Sequence, residues 1–189
     1  SVRGFVKYNL KDYSSAIVDF STAIGLNPNQ TYSYINRGKT KFKLERYEEA
    51  LSDFDIAIEI DPNSSETYDY RGWIKGYLKD YFGAIYDYNK AIEIDPKSYN
   101  LHANKGWSKM KLKDYEGALK DYNKSIELDS SNKSHSGIFN DICFINNELG
   151  NYSQAIKDCT KSIQINPKSY LPYSNRAISR KSTGDINGA

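Results

Sequence analysis

A period of 34 residues constrains this chain more than any other feature. In Thr31–Ser64 the order runs Tyr34, Gly38, Leu44, Tyr47, Ala50, Phe54, Ala57, Ile60, Asp61, Pro62. Adding 34 to each number returns Tyr68, Gly72, Leu78, Tyr81, Ala84, Tyr88, Ala91, Ile94, Asp95 and Pro96. Adding it again returns His102, Gly106, Leu112, Tyr115, Ala118, Tyr122, Ser125, Leu128 and Asp129, with Ser130 where proline stood. A repeat of this length is one supersecondary unit that cannot bury its apolar face alone, so neighbouring units must stack to make a core.

Each unit explains itself physically. Ala50, Phe54 and Ala57 fall at i, i+4 and i+7, one stripe of a helix that Leu51 and Ile58 widen. Small residues at Gly38, Ala50 and Ala57 allow two helix backbones to approach, while Tyr47 and Phe54 fill the space beside them. Asp61-Pro62 stops the second helix, because proline disfavours helix in the residue before it and donates no hydrogen bond. The units run 1–30, 31–64, 65–98 and 99–132 without a gap. Three extra residues, Lys133–His135, precede a unit at 136–169, and 170–189 opens one more. The unit at Ser136 departs most: Cys143 replaces the glycine, Cys159 the aromatic and Ser162 the alanine. Ser130 also removes the proline stop before it, so a bend or a change of pitch is expected there.

This pattern resembles the tetratricopeptide repeat, a helix–turn–helix unit of 34 residues, over the whole chain. The resemblance implies an all-α fold: a right-handed superhelical solenoid of antiparallel helix pairs, residues 1–189 forming a single array. Ser1 falls at repeat position 5 and Ala189 at position 20, with no polar capping unit at either end. Solenoids normally carry such caps, so a segment of a longer protein is expected.

Composition narrows the function classes. With 26 Lys and Arg against 24 Asp and Glu, the formal charge is +2, which gives no general attraction to nucleic acid or anionic membrane. No apolar run approaches the roughly 18 residues of a spanning helix, and no signal-peptide pattern opens the chain. The two cysteines make no disulfide framework. Cys143 and Cys159 face the packing stripe of one repeat, where buried reduced thiols are expected. His102 stands at a packing position and His135 in the insertion. With no metal-ligand spacing, phosphate-binding glycine loop or nucleophile motif, neither an enzyme nor a bound cofactor is expected.

A charge pattern recurs as well. Arg3/Lys7, Arg37/Lys41, Arg71/Lys75, Lys105/Lys109 and Arg176/Arg180 occupy positions 7 and 11 of the first helix. The usual family pattern has leucine and tyrosine there. Asp19, Asp53, Asp87, Asp121 and Asp158 all stand at position 23 of the second helix. The matched series reads as an ion-pair ladder between helices. The competing reading is a basic stripe for RNA or phosphate. The fifth unit has Ile142 and Asn146 in place of the cations, so Asp158 should lack a cationic partner.

The resemblance also implies that first-helix positions 2, 5, 6, 9, 12 and 13 line a concave surface. Position 9 then holds Phe5, Lys39, Trp73, Trp107 and Phe144; position 12 adds Tyr8, Phe42 and Met110; Tyr70 and Tyr77 fall at positions 6 and 13. Position 9 is commonly polar in the family. Trp and Tyr are favoured interface anchors, but neighbouring first helices packing their rings together would explain the row equally well. Asn36, Asn104 and Asn175 at position 6 could hydrogen-bond an extended peptide backbone. Some family members clamp the C-terminal carboxylate of chaperone tails with lysines and asparagines at set positions. Here Ser1, Phe5, Glu66, Tyr70, Asp69, Trp73, Asn140 and Phe144 stand where that clamp would need them, and its cations are missing.

These readings converge on a non-catalytic scaffold that binds a peptide or helix of another protein in an aromatic groove, with the Trp73/Trp107 region as anchor. No nucleic acid or membrane partner is expected. The alternatives are an RNA-binding array that uses the Arg/Lys ladder, an accessory arm of an enzyme whose catalytic domain lies outside these residues, and self-association. The compartment is left open.

Overall fold

The computed structural model describes residues 1–129 and 135–185. Among the described residues every regular element is a helix: α1 (Val2–Asn9), α2 (Tyr13–Leu26), α3 (Thr31–Lys43), α4 (Tyr47–Ile60), α5 (Ser65–Tyr77), α6 (Tyr81–Ile94), α7 (Tyr99–Lys111), α8 (Tyr115–Leu128), α9 (Ser136–Glu148), α10 (Tyr152–Ile165) and α11 (Leu171–Thr183). They form two compact units, Ser1–Pro96 and Lys97–Ala189. The first holds the hairpins α1–α2, α3–α4 and α5–α6; the second holds α7–α8 and α9–α10, followed by α11.

Local chemistry sets where each helix starts and stops. Asp12, Asp80 and Asp114 cap α2, α6 and α8, their carboxylates accepting from the backbone N–H of Ser15, Gly83 and Gly117. The hairpin turn needs one residue in the left-handed region. Gly150 supplies it at φ 75°, whereas Lys11, Glu45, Lys79 and Lys113 adopt φ 60–67° at the same repeat position. The second helices end where the sequence predicts. Asn27, Asp61, Asp95 and Asn166 are pushed toward extended backbone before their prolines. Although Ser130 replaces proline, α8 still ends at Leu128 with Asp129 extended at φ −113° and ψ 97°. The proline is therefore not required for the stop. Ser130 itself, the insertion residues Lys133 and Ser134, and Ile186–Ala189 lie outside the described residues. His135 is fully buried at the start of α9.

The apolar stripe forms the core of each unit. Ala16 and Phe20, Ala50, Phe54 and Ala57, and Ala84 and Ala91 are completely buried in the first unit, with Tyr88 nearly so. Burial of a ring such as Phe54 contributes about 2–3 kcal/mol. Glycine is needed opposite that ring: a Cβ on Gly38 would stand 2.9 Å from Phe54 Cε2 and 3.2 Å from the Ala50 carbonyl. Gly72 meets Tyr88 and Gly106 meets Tyr122 in the same way.

This glycine–ring pairing brings the two cysteines together. Cys143 and Cys159, expected as reduced thiols, form a disulfide between α9 and α10. They occupy the repeat positions of Gly38 and Phe54, which face each other in every hairpin. With a short thiol side chain on each helix the two sulfurs meet. Both cysteines are inaccessible to solvent and pack with Ala155.

Candidate partner-binding surface

The charge ladder is built inside the hairpins. Asp19 accepts from Arg3 Nε at 3.0 Å and from Lys7 Nζ at 2.9 Å. Asp53 takes Arg37 and Lys41, Asp87 takes Arg71 and Lys75, and Asp121 takes Lys105 and Lys109. These carboxylates are buried, Asp87 completely. Hydrogen bonds from Arg3 and Lys7 hold the Asp19 carboxyl below its ordinary range. In the fifth hairpin Asp158 forms no ion pair among the described residues; Asn146 and Gln154 donate side-chain amide N–H groups to it at 3.0 and 3.1 Å. Three arginines also reach back to the preceding hairpin: Arg37 to Ser21, Arg71 to Asp55 and Arg176 to Thr160. The cations serve the fold, which removes the observation that favoured an RNA stripe.

The first unit gathers five of the predicted contact residues. Tyr8, Phe42, Tyr70 and Trp73 line a hollow of about 240 Å³, with Phe54 and Ile74 beside them and Lys39 and Lys43 around it. The rings are mutually supported: Phe42 lies 4.5 Å from Trp73 and 5.5 Å from Tyr77 between centroids. Tyr70 stacks on Phe54 at 6.0 Å. Tyr47 donates to the Tyr77 hydroxyl at 3.3 Å, and with burial this bond pushes the Tyr47 phenol up to about 12. Lys39, the gap in the aromatic row, lies over the Tyr70 ring at 3.9 Å and pairs with Glu66 at 2.7 Å. Even so, Trp73 remains 43% exposed and Tyr77 56%. Part of the aromatic row is thus consumed by packing, and part is left open.

The remaining predicted residues scatter. Phe5 on α1 is exposed, and Asn36 is buried, its amide donating to the Tyr32 carbonyl at 2.7 Å. In the second unit Met110 is buried in the core with Tyr122, Ile142 and Ile145, and Phe144 is exposed. Asn175 donates to the Asn140 side chain at 3.0 Å. Asn104 and Trp107 come together at a second hollow, of about 260 Å³, bordered also by Tyr99, Tyr122, His135 and Asp141. Lys111 Nζ lies over Trp107 at 5.2 Å. Asp141, which sequence reasoning passed over, accepts from the Tyr122 hydroxyl at 2.8 Å, and burial pushes its carboxyl above the ordinary range. Its only sequence signal was a carboxylate at the repeat position of Tyr70 and Asn104.

Comparison with known proteins supports the fold. Models of the tetratricopeptide repeat match residues 31–64, 99–132 and 145–169. The chain belongs to the tetratricopeptide-repeat family. No curated protein matches it. Similar solved structures include residues 41 to the end of MamA from Desulfovibrio magneticus RS-1, at 15% identity and TM-score 0.80, covering 88% of this chain and 92% of that one. YrrB, a tetratricopeptide-repeat protein with an unusual peptide-binding site, is 19% identical at TM-score 0.74, covering 88% and 84%. PilF of Pseudomonas aeruginosa is 14% identical at TM-score 0.83, covering 97% and 82%. At these identities the likeness speaks to fold alone.

Proposed function

We propose that this chain is a non-catalytic recognition scaffold that holds a peptide or helix of another protein against the aromatic basin of its first unit. Tetratricopeptide repeats are in general interaction modules without chemistry of their own, and YrrB offers a precedent for peptide recognition on this fold. The observation that carries the reading is the half-exposed Trp73, backed by Phe42 and Tyr77 and opening onto the hollow beside Tyr8 and Tyr70. A rigid, pre-packed ring loses little entropy on contact and buries a large area, as interface anchors do. Asn104 and Trp107 line a hollow of the second unit, and Phe5, Phe144 and Asn175 border neither hollow.

Selection of peptides from a displayed library tests this, followed by calorimetry with the selected peptide. Trp73→Ala should weaken binding by about 2 kcal/mol or more, the range of an interface hot spot. Undiminished affinity would place the site elsewhere. Binding that falls steeply with salt and prefers RNA would restore the nucleic-acid reading.

A further inference from the structure

In the second unit two carboxylates are held by neutral donors: Asp158, at the ladder position of its hairpin, by Asn146 and Gln154, and Asp141, off the ladder, by Tyr122. The buried aspartates of the ladder at Asp19, Asp53, Asp87 and Asp121 each hold two cations. Asp141 on α9 forms no ion pair among the described residues and is held by neutral donors, above all the Tyr122 hydroxyl at 2.8 Å. Nothing in the hairpin pattern requires an acid there, since the same repeat position carries Asn36, Tyr70 and Asn104 in other units. Burial disfavours its charge, and the hydrogen bonds from Tyr122 and Asn140 with the nearby charge of Lys111 only partly offset this. An acid kept at a cost, on the wall of a hollow, is suited to a cation that comes from outside.

The rest of the wall fits the same ligand. Trp107, Tyr99 and Tyr122 give the hollow aromatic sides, Asn104 an amide, and His135 stands edge-on to Tyr99 at 6.1 Å. The Trp107 ring already attracts a cation, for Lys111 Nζ lies 5.2 Å from its centroid. A guanidinium suits this lining better than an ammonium. Its flat face stacks on indole and phenol, while its edge donates two parallel hydrogen bonds to a carboxylate.

We propose that the hollow bordered by Tyr99, Asn104, Trp107 and Asp141 receives an arginine side chain of a partner protein. Asp141 is the charge that selects it, the rings sandwich it, and Lys111 is the chain's own cation that the incoming arginine displaces from Trp107. The origin of the arginine rests on the reading of this chain as a protein-recognition scaffold; the hollow itself can be tested without any partner.

The probe is N-acetyl-arginine methylamide, titrated into the intact chain while the two tryptophan indole N–H signals are followed by NMR. The Trp107 signal should move saturably and the Trp73 signal should stay. N-acetyl-glutamate methylamide should move neither. Asp141→Asn, which keeps the acceptor for Tyr122, should weaken the arginine probe about tenfold or more. Lys111→Ala, an exposed truncation that leaves the core intact, should tighten it. Equal response to both probes, wild-type affinity in Asp141→Asn, or unchanged or weaker binding in Lys111→Ala would overturn the assignment. Failure of the Trp73 basin to bind peptide would leave this titration unaffected, so the two readings stand or fall apart.

Discussion

Replacing Asp87 by asparagine should cost much more stability than the same change at Asp158, although the two residues occupy one repeat position. Asp87 is fully buried and receives Arg71 Nε at 2.9 Å and Lys75 Nζ at 2.8 Å. An amide in its place leaves two cations facing a neutral group. Removing one partner of a buried ion pair costs about 3–5 kcal/mol. The lower end applies here, because Lys75 can swing toward solvent and Arg71 keeps Asp55 at 2.7 Å. Among the described residues Asp158 accepts from the amides of Asn146 and Gln154 alone. Its replacement strands no charge and should cost about 1 kcal/mol, the worth of an ordinary hydrogen bond. Urea unfolding of the whole chain at neutral pH, followed by far-ultraviolet circular dichroism, measures both. A difference of about 2 kcal/mol is expected. Adding Arg71→Met and Lys75→Met to Asp87→Asn should recover most of the loss, since no cation is then left behind. Equal losses at Asp87 and Asp158, or no recovery in the triple variant, would refute the view that stranded charge sets the cost.

The disulfide closes a sequence separation of 16 residues, so reduction should destabilise the second unit by about 3 kcal/mol on loop-entropy grounds. Unfolding midpoints with and without dithiothreitol, beside a Cys143→Ala/Cys159→Ala control that ignores the reductant, check this. Lys79→Gly should stabilise by about 0.5–1 kcal/mol, because a left-handed backbone at φ 67° penalises a side chain and suits glycine; a loss in thermal unfolding would count against the turn geometry. Asp19 has its folded-state pKa lowered by Arg3 and Lys7. Its contribution is therefore present above the unfolded carboxylate value of about 3.9 and is lost as pH falls through the lower, folded one. The stability gap between the chain and its Asp19→Asn variant should narrow below about pH 4 and stay constant above pH 5.

Much of the fold could be read from residues alone, because a repeat prints its packing rules several times over. The close helix approach at Gly38 and Ala50, and Asp53 against Arg37 and Lys41, followed from position and matched series. The site was less legible. Repeat position says which helix face a side chain leaves from, not what the neighbouring helix puts over it. Met110 and Phe42 share a position, yet Met110 is closed in beneath Ile142 and Ile145 while Phe42 borders an open hollow. Asn36 has the right face for a peptide backbone but turns its amide onto Tyr32. Lys39 interrupts the aromatic row at position 9, and its Nζ lies over the Tyr70 ring. The disulfide was within reach, since the glycine and the ring it replaces face each other in every other hairpin. Asp141 was not, because its significance depends on which donors and charges the neighbouring helices bring to it.

A partner peptide seated in the open aromatic basin must touch the Trp73 ring. The most direct measurement follows both tryptophan indole N–H signals by NMR while a library-selected peptide is added to the intact chain. The Trp73 signal should shift and saturate at the calorimetric affinity. A peptide that binds tightly and leaves the Trp73 signal where it was would contradict that seating.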